Sequence, residues 1–445
     1  MINKVALINP GRKERFDAHE PLNIGFIASF LEKNGIETKI IDELSGDNVE
    51  HEIEEFNPGI AGITATTPFA LDAYRHAEMC RKRGITAVMG GVHASIMTEE
   101  ALRYVDAVVK GEGELAMLDI ALRGVRDNKI ITLPHIKDLD AMPLPAYHLM
   151  NMDFYLAAKE RTPYDTALIF VPPGYKVASM LTSRGCPFSC AFCHNTWKGI
   201  PFRSNSAERV IEDIKYLKNA YQIQAITFFD DDFFANKLRV RKICSLMKES
   251  NLNIIWGCNS RVNSIDPETL QAAREAGCRQ VAFGFESGSQ KILDILNKRT
   301  TAEQNKKAVK LCKEAGLLCI GFFMLGNPDE TAGDIELTRK FILENPIDCI
   351  GLCISTPFPG TKLWDWCQEK GFIAKDLKWS DFSPDSSPIR VSQFVSPDEA
   401  KRLRSKIFLD YSLKQNSLLR FFKMSLRYPL QALRKAYRIF RHLLR

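Results

Sequence analysis

The sequence predicts an α/β protein: a doubly wound parallel sheet, then a partial TIM-type (β/α)6 barrel, closed by a helical extension. Three observations predict it. Short apolar runs alternate with helix-like segments at intervals of about 20–30 residues, each switch marked by Gly or Asn, as parallel βα architectures require. Residues 131–176 then break the rhythm with six prolines and little periodicity. From Val177 it restarts and runs through six further units. A chain of 445 residues has room for two or three domains. Its 45% hydrophobic and 26% charged residues are globular values that exclude disordered and collagen-like classes.

The first sheet is expected over about 1–130. Its strands are read at 4–8 (KVALI), 37–42 (ETKIID), 59–65 (GIAGITA), 85–91 (ITAVMGG) and 106–114 (DAVVKGEGE), with helices at 22–33, 48–56, 70–83 and over ELAMLDIALRG. Such uninterrupted apolar runs suit strands buried on both faces. Residues 131–176 read as a wrapping linker. The barrel domain is expected over 177–375, with strands at 177–183, 225–233, 253–260, 280–287, 318–326 and 349–355. Barrels of this type carry their functional residues at the C-terminal ends of strands. Residues 376–445 are read as a helical extension with a basic tail.

The N-terminus lacks the apolar core of a secretory signal. No run of about 18 apolar residues is present that would span a membrane. The 12 cysteines show no disulfide framework, and several lie in apolar segments, which fits a reducing cytoplasmic location. The net charge of +6 is unevenly placed: nine Lys and Arg follow the last acidic residue, Asp410, leaving the rest near −3. In residues 414–445 these cations alternate with Leu418, Phe421, Phe422, Leu430, Leu433, Tyr437, Phe440 and Leu444 near helical spacing. A basic amphipathic helix suggests peripheral membrane contact; its leucine and aromatic face argues against nucleic acid, and packing on its own protein is the alternative.

The chemistry concentrates in SRGCPFSCAFCHN. It places Cys186, Cys190 and Cys193 in a C-x3-C-x2-C loop directly after the strand at 177–183. Soft thiolates favour iron–sulfur or zinc. Zinc wants a fourth ligand, and His194, adjacent to Cys193, is badly placed to complete a tetrahedron. A [4Fe–4S] cube normally takes four thiolates, so three leave one iron open to chelate a small molecule.

C-x3-C-x2-C with an aromatic before its last cysteine, here Phe192, resembles the signature of the radical S-adenosylmethionine (SAM) superfamily. The resemblance implies that the open iron binds the amino and carboxylate groups of SAM. It also implies an external one-electron reductant, whose electron cleaves SAM to a 5′-deoxyadenosyl radical. Later strand ends add to it. In TFFDDDFF, Asp231 and Asp232, beside Asp230, resemble positions that meet the SAM amino group; helix capping is the alternative. Arg261 ends the next strand. AFGFESGSQKIL resembles the family's G-x-E-S-G-S stretch, implying SAM contacts for Gly284, Glu286 and Ser287. GFFMLGNPDET resembles the family's glycine-rich strand before a P-x-E-T turn, implying that Met324 and Gly326 lie near adenine, and ISTPFPGT resembles the last barrel strand and its turn.

The first domain carries ITATTP, GGVHAS and GEGE after successive strands. In open α/β sheets ligands sit at carboxyl ends of strands, so Thr64, Thr66, Gly90, Gly91, His93 and Gly111 are expected on one rim. This order resembles the cobalamin-binding domain that precedes the barrel in many radical SAM enzymes, including the anaerobic magnesium-protoporphyrin ester cyclase group. Asp17-Ala18-His19 only partly fits the D-x-H-x-x-G motif of cobalt-ligating histidines, so no histidine ligand to cobalt is expected. The resemblance implies a [4Fe–4S] cluster, SAM and cobalamin acting on an unactivated carbon of a small molecule, and the tail suggests a lipid-like one. C-methylation is expected first. Radical cyclisation or rearrangement, a cobalamin-free radical SAM enzyme and a non-enzymatic iron–sulfur protein are the alternatives.

Overall fold

The computed structural model describes residues 2–11, 19–158, 169, 171–172, 174–194, 201–374, 376–382 and 387–414. Its first sheet is wholly parallel. It comprises β1 (Lys4–Asn9), β2 (Glu37–Asp42), β3 (Ile60–Thr64), β4 (Thr86–Gly90), β5 (Ala107–Val109) and β6 (Ile130–Ile131), in the order β2-β1-β3-β4-β5-β6. Along β1, Val5 and Leu7 join the core under helices Leu22–Lys33 and Glu114–Arg123. Ala6 and Ile8 join the opposite core under Val49–Phe56 and Ala70–Lys82. Both faces are covered, so the strand is apolar at every inner position rather than at alternate ones. The order reverses at β1, which puts a ligand crevice at the carboxyl ends of its neighbours.

The second sheet holds β7 (Val177–Met180), β10 (Ala225–Phe228), β11 (Ile255–Ser260), β12 (Cys278–Glu286), β13 (Leu318–Leu325) and β14 (Cys349–Ile354), paired in chain order and all parallel. Among the described residues β7 and β14 do not pair, so the barrel is open. Between β7 and β10, two residues on each side, β8 (Ser183–Arg184) and β9 (Arg203–Ser204), form an antiparallel ribbon. Six barrel helices begin at side-chain caps: Ser206, Asn236, Asp266, Thr301, Thr331 and Thr361 each accept a backbone N–H of the first turn. Each cap satisfies an otherwise orphaned donor and is worth about 1 kcal/mol.

The described part of the linker joins the two sheets. Its first residue, Ile131, completes β6 of the first sheet, and its Tyr147 hydroxyl donates to the Ser179 carbonyl of β7 at 3.2 Å. Tyr155 donates to the carboxylate of Asp42 at the end of β2. Apolar residues of both sheets belong to one continuous core. The extension is less helical than its composition suggests. Trp379–Asp381 is a single 3-10 turn, residues 387–396 are irregular, and one helix, Pro397–Lys414, packs on Ala332–Glu344 and β14. Ser392 explains the irregular course: its hydroxyl donates to the Glu330 carbonyl and accepts from two backbone N–H groups, stitching the segment to the barrel. The amphipathic stretch 415–445 lies outside the described residues. No helix among the described residues is long and apolar enough to cross a membrane.

Candidate active site

The cysteine loop leaves the barrel at Arg184 and returns at Arg203. Cys190 is buried, and Cys186 and Cys193 are half-buried. Gly185 turns the chain at φ 83°, a left-handed value that favours glycine. The loop is held from several sides. Ala191 N–H donates to Leu296 O at 2.9 Å, Asn297 Nδ2 to Ser189 O at 2.6 Å, and Leu363 N–H to Ala191 O at 2.9 Å. Burial pushes the Cys186 thiol up to about 11, so a metal there must displace a proton, as metals bound to thiols do.

The donor set bears on which metal fits. One zinc ion with thiolates at about 2.3 Å would hold their sulfurs within about 4 Å of one another. Among the described residues, three ligating atoms within 4.8 Å of one another occur only at His51, Glu52 and Glu55, on a surface helix. The three sulfurs do not form such a group, so the loop is not gathered around one zinc ion.

Around the loop stand the strand ends. After β10, the three aspartates have separate fates. Asp230 is fully buried and accepts from Thr182 N–H and Oγ1 at 3.2 and 2.8 Å, and from the Ser183 hydroxyl. Asp232, 1% exposed, accepts from Ser260 Oγ, Ser264 Oγ and Arg261 N–H. Both carboxylates are occupied in tying strand ends together. Asp231 is exposed, and its charge reaches Cys186. Of the three it is the one exposed beside the cysteine loop.

Glu286 ends β12 at φ 63°, beyond an irregularity in the pairing with β13. A bulge of this kind re-aims a side chain, and left-handed backbone in a residue other than glycine costs about 1–3 kcal/mol. Its carboxylate is 2.7 Å from Lys298 Nζ, with both side chains under 10% exposed. A Cβ on Gly284 would lie 2.4 Å from Glu286 Oε1 and 2.9 Å from Lys298 Nζ, so this glycine makes room for the pair. Ser287 is buried against Thr338 Oγ1 at 3.0 Å and fixes the turn. Lys298 gave no sequence signal, because a lysine twelve residues beyond Glu286 matches no periodic pattern.

On β13, Phe323 packs on Phe341 of an outer helix, so Phe322 and Met324 face inward. Gly326 turns at φ 80°, and its N–H, with that of Asn327, donates to Glu330 at 2.5 and 2.9 Å. Sequence reasoning also missed Glu330, which burial pushes up to about 7. At three strand ends a buried polar atom lacks a partner: Arg261 Nε, Asn327 Oδ1 and Ser355 Oγ. Orphaned groups at a barrel mouth fit a polar ligand such as SAM.

On the first sheet, Thr64 is paired with Gly90 across β3 and β4, and Gly111 follows β5 at φ 102°. Thr64, Thr66, Gly90, Gly91 and Gly111 are all accessible on this rim. The glycines differ. A Cβ on Gly91 would strike Ala65 O at 2.8 Å, so Gly91 serves the protein's own packing. On Gly90 or Gly111 it would meet nothing closer than 3.7 Å. Those two positions leave a surface on which a large flat ligand such as cobalamin can rest. His93 is 1% exposed, with Nε2 3.0 Å from Tyr74 Oη and Nδ1 3.3 Å from Thr67 Oγ1. Burial, with the nearby His194 ring adding to it, pushes it down to about 4. Buried between Tyr74 and Thr67, its ring is placed as a packing residue is. His19 lies edge-on to Phe229 at 4.4 Å; its motif partner Asp17 lies outside the described residues.

The two rims meet. Trp379 packs edge-on to His93 at 5.1 Å, donates to Glu100 at 2.7 Å and lies against Trp364 and Phe382. Glu112, next to Gly111, grips both ends of the cysteine loop: Arg203 at 2.6 Å and Arg184 at 3.4 Å. Arg184 also meets Glu114 at 2.7 Å.

The Radical SAM superfamily model matches residues 180–342, and the B12 binding domain model matches residues 13–121. The uncharacterized methyltransferase PH0819 of Pyrococcus horikoshii is 34% identical over 427 residues, 90% of this chain and 89% of its own. The anaerobic magnesium-protoporphyrin IX monomethyl ester cyclase of Rubrivivax gelatinosus is 27% identical over 443 residues, covering 91% of this chain and 77% of its own. The solved structure of the cobalamin-dependent S-adenosylmethionine radical enzyme OxsB, with aqua-cobalamin and S-adenosylmethionine bound, has a TM-score of 0.74 at 15% identity, covering 95% of this chain and 71% of that one. This last likeness concerns the fold. With its cysteine loop at the mouth of the barrel and its first sheet against that loop, the chain belongs to the radical SAM superfamily, to the group in which the barrel follows a B12-binding domain.

Proposed function

We propose that the protein is a cobalamin-dependent radical SAM methyltransferase acting on an unactivated carbon of a small molecule. The observation that carries this reading is the meeting of the two rims: Glu112, beside Gly111, is braced directly to both ends of the cysteine loop. When bound, the cluster and SAM supply a hydrogen-abstracting radical, and cobalamin supplies a methyl carrier. The chain's own residues do the positioning. Cys186, Cys190 and Cys193 would hold the cluster. Asp231, the Glu286–Lys298 pair, Met324 and Gly326 would receive SAM. Thr64, Thr66, Gly90 and Gly111 would form the cobalamin floor.

The Pyrococcus relative is named as a methyltransferase and is more similar than the Rubrivivax relative, named as a cyclase. The products of SAM turnover separate the two reactions. Anaerobically reconstituted protein with cobalamin should release S-adenosylhomocysteine alongside 5′-deoxyadenosine. Deoxyadenosine alone, in the presence of a converted substrate, would favour the cyclase reading. Cys193→Ala that still cleaves SAM would count decisively against both. Gly90→Val should fold normally yet take up less cobalamin; unchanged uptake removes Gly90 from the floor.

The reading extends to a lipid-like substrate reached at an anionic membrane surface through residues 414–445. It is supported by the nine cations and the leucine and aromatic face of that segment. Liposome co-sedimentation should retain the full chain and release a 1–413 truncation; equal binding of the two would sink it.

A further inference from the structure

We propose that Arg261 acts on the cluster itself, as the positioning residue that holds the Cys190 sulfur and sets how readily the cluster accepts an electron. The inference rests on the cluster reading above; the resemblance implied a cofactor-binding role for Arg261, and this one is toward the cluster rather than toward SAM. Arg261 follows β11 and is 5% exposed. Its backbone N–H donates to Asp232 Oδ1 at 3.3 Å, which fixes where the side chain starts. The guanidinium carbon lies 3.7 Å from the centre of the Phe188 ring, so the cysteine loop lies flat on it. One terminal nitrogen donates to the Lys298 carbonyl, and the other to Cys190 Sγ at 3.2 Å.

Charge is the deciding consideration. A guanidinium this buried is stable only beside compensating negative charge. Its side-chain hydrogen bonds run to a sulfur and a carbonyl, not to a carboxylate. Asp232, whose charge interacts with that of Arg261, is one nearby counter-charge, bonded to its backbone N–H rather than to its guanidinium. Lys298, the other buried cation here, is matched by Glu286. Of the two groups its guanidinium hydrogen-bonds, the Cys190 sulfur is the one that becomes anionic on holding a cluster, so the thiolates and that cluster would add to Asp232 as the counter-charge of Arg261. One-electron reduction of the cluster these cysteines would hold, by a low-potential donor, would add one negative charge and form or break no bond. A fixed cation donating an N–H to a ligating sulfur favours the more negative state, so it raises the reduction potential.

The test is a redox titration of the full-length reconstituted protein, followed by the electron paramagnetic resonance of the reduced cluster, without SAM. Arg261→Met should keep its iron and lose at least tenfold in electron affinity, a negative shift of about 59 mV for one electron. Arg261→Lys should fall between Met and the native residue. Phe188→Leu, which removes the stacking surface, should move the potential the same way by less. An unchanged potential in Arg261→Met, with weaker SAM binding, would overturn the proposal and return Arg261 to SAM. If Arg261→Met loses its iron, Arg261→Lys and Phe188→Leu decide, and native potentials in both overturn it. Failure of the native chain to bind iron, or full iron in Cys190→Ala, would strike the cluster reading instead.

Discussion

Glu286 combines left-handed backbone, burial and negative charge at one position, and Lys298 is what makes the combination tolerable. Breaking a buried pair by removing one partner leaves an uncompensated charge and costs about 3–5 kcal/mol, whereas removing both charges is far milder. Lys298→Met should therefore destabilise the protein by about 3 kcal/mol in urea unfolding. The double variant Glu286→Gln/Lys298→Met should regain more than half of that; additive losses would mean that the pair is not coupled. Glu330 gives a pH signature. Burial raises its carboxyl from 4.5 to about 7 in the folded protein. The native state thus holds this proton more tightly than the unfolded chain does. Its contribution is fully present below about pH 4.5 and is lost as pH rises through about 7, about 3 kcal/mol at most. Glu330→Gln, which keeps an oxygen for the Gly326 and Asn327 N–H groups, should flatten that part of the stability–pH curve. An identical slope in both proteins would refute the assignment.

At the scale of the element, the cysteine loop is a long excursion closed by a ribbon only two residues deep. In that ribbon Arg184 stands opposite Arg203. Like charges directly opposed in a strand pair are destabilising, so the ribbon cannot close on its own account. Glu112 reverses the sign of that interaction from the other domain. Burial alone would raise its carboxyl, but hydrogen bonds from Arg203 and the charges of both arginines hold it below the usual range. The loop is therefore closed by the first sheet. Glu112→Gln should cost about 2 kcal/mol and speed amide hydrogen exchange in 183–204, while β12 and β13 keep their protection. Uniform exchange across the barrel would show a general loss of stability instead.

At the scale of the molecule, the two sheets share one apolar core and the linker is sewn to both. They should melt in one transition, with the fluorescence of the five tryptophans, all of which follow the first sheet, and far-ultraviolet circular dichroism giving the same midpoint. Two separated midpoints would show that the domains are independent. Such coupling explains why the fold was legible while much of the site was not. Apolar runs, glycine switches and capping residues act over a few neighbours, so composition along the chain reveals both parallel sheets, the six barrel strands and the loop that carries three cysteines. The same local reasoning reads Asp231 and Asp232 alike, yet the fold ties Asp232 to Ser260 and Ser264 and leaves Asp231 exposed. It reads Gly90 and Gly91 alike, yet only Gly91 is crowded by its own backbone.

By itself, then, the sequence determined the two parallel architectures, their order and the thiolate loop, because each depends on short-range periodicity or on residues a few positions apart. Only the tertiary structure decided the partners: Lys298 for Glu286, Cys190 for Arg261, and Glu112 for the two arginines that close the loop. Those pairings join residues 12, 71 and up to 91 positions apart. Buried charges must find counter-charges wherever the fold brings them, and no local pattern encodes that meeting.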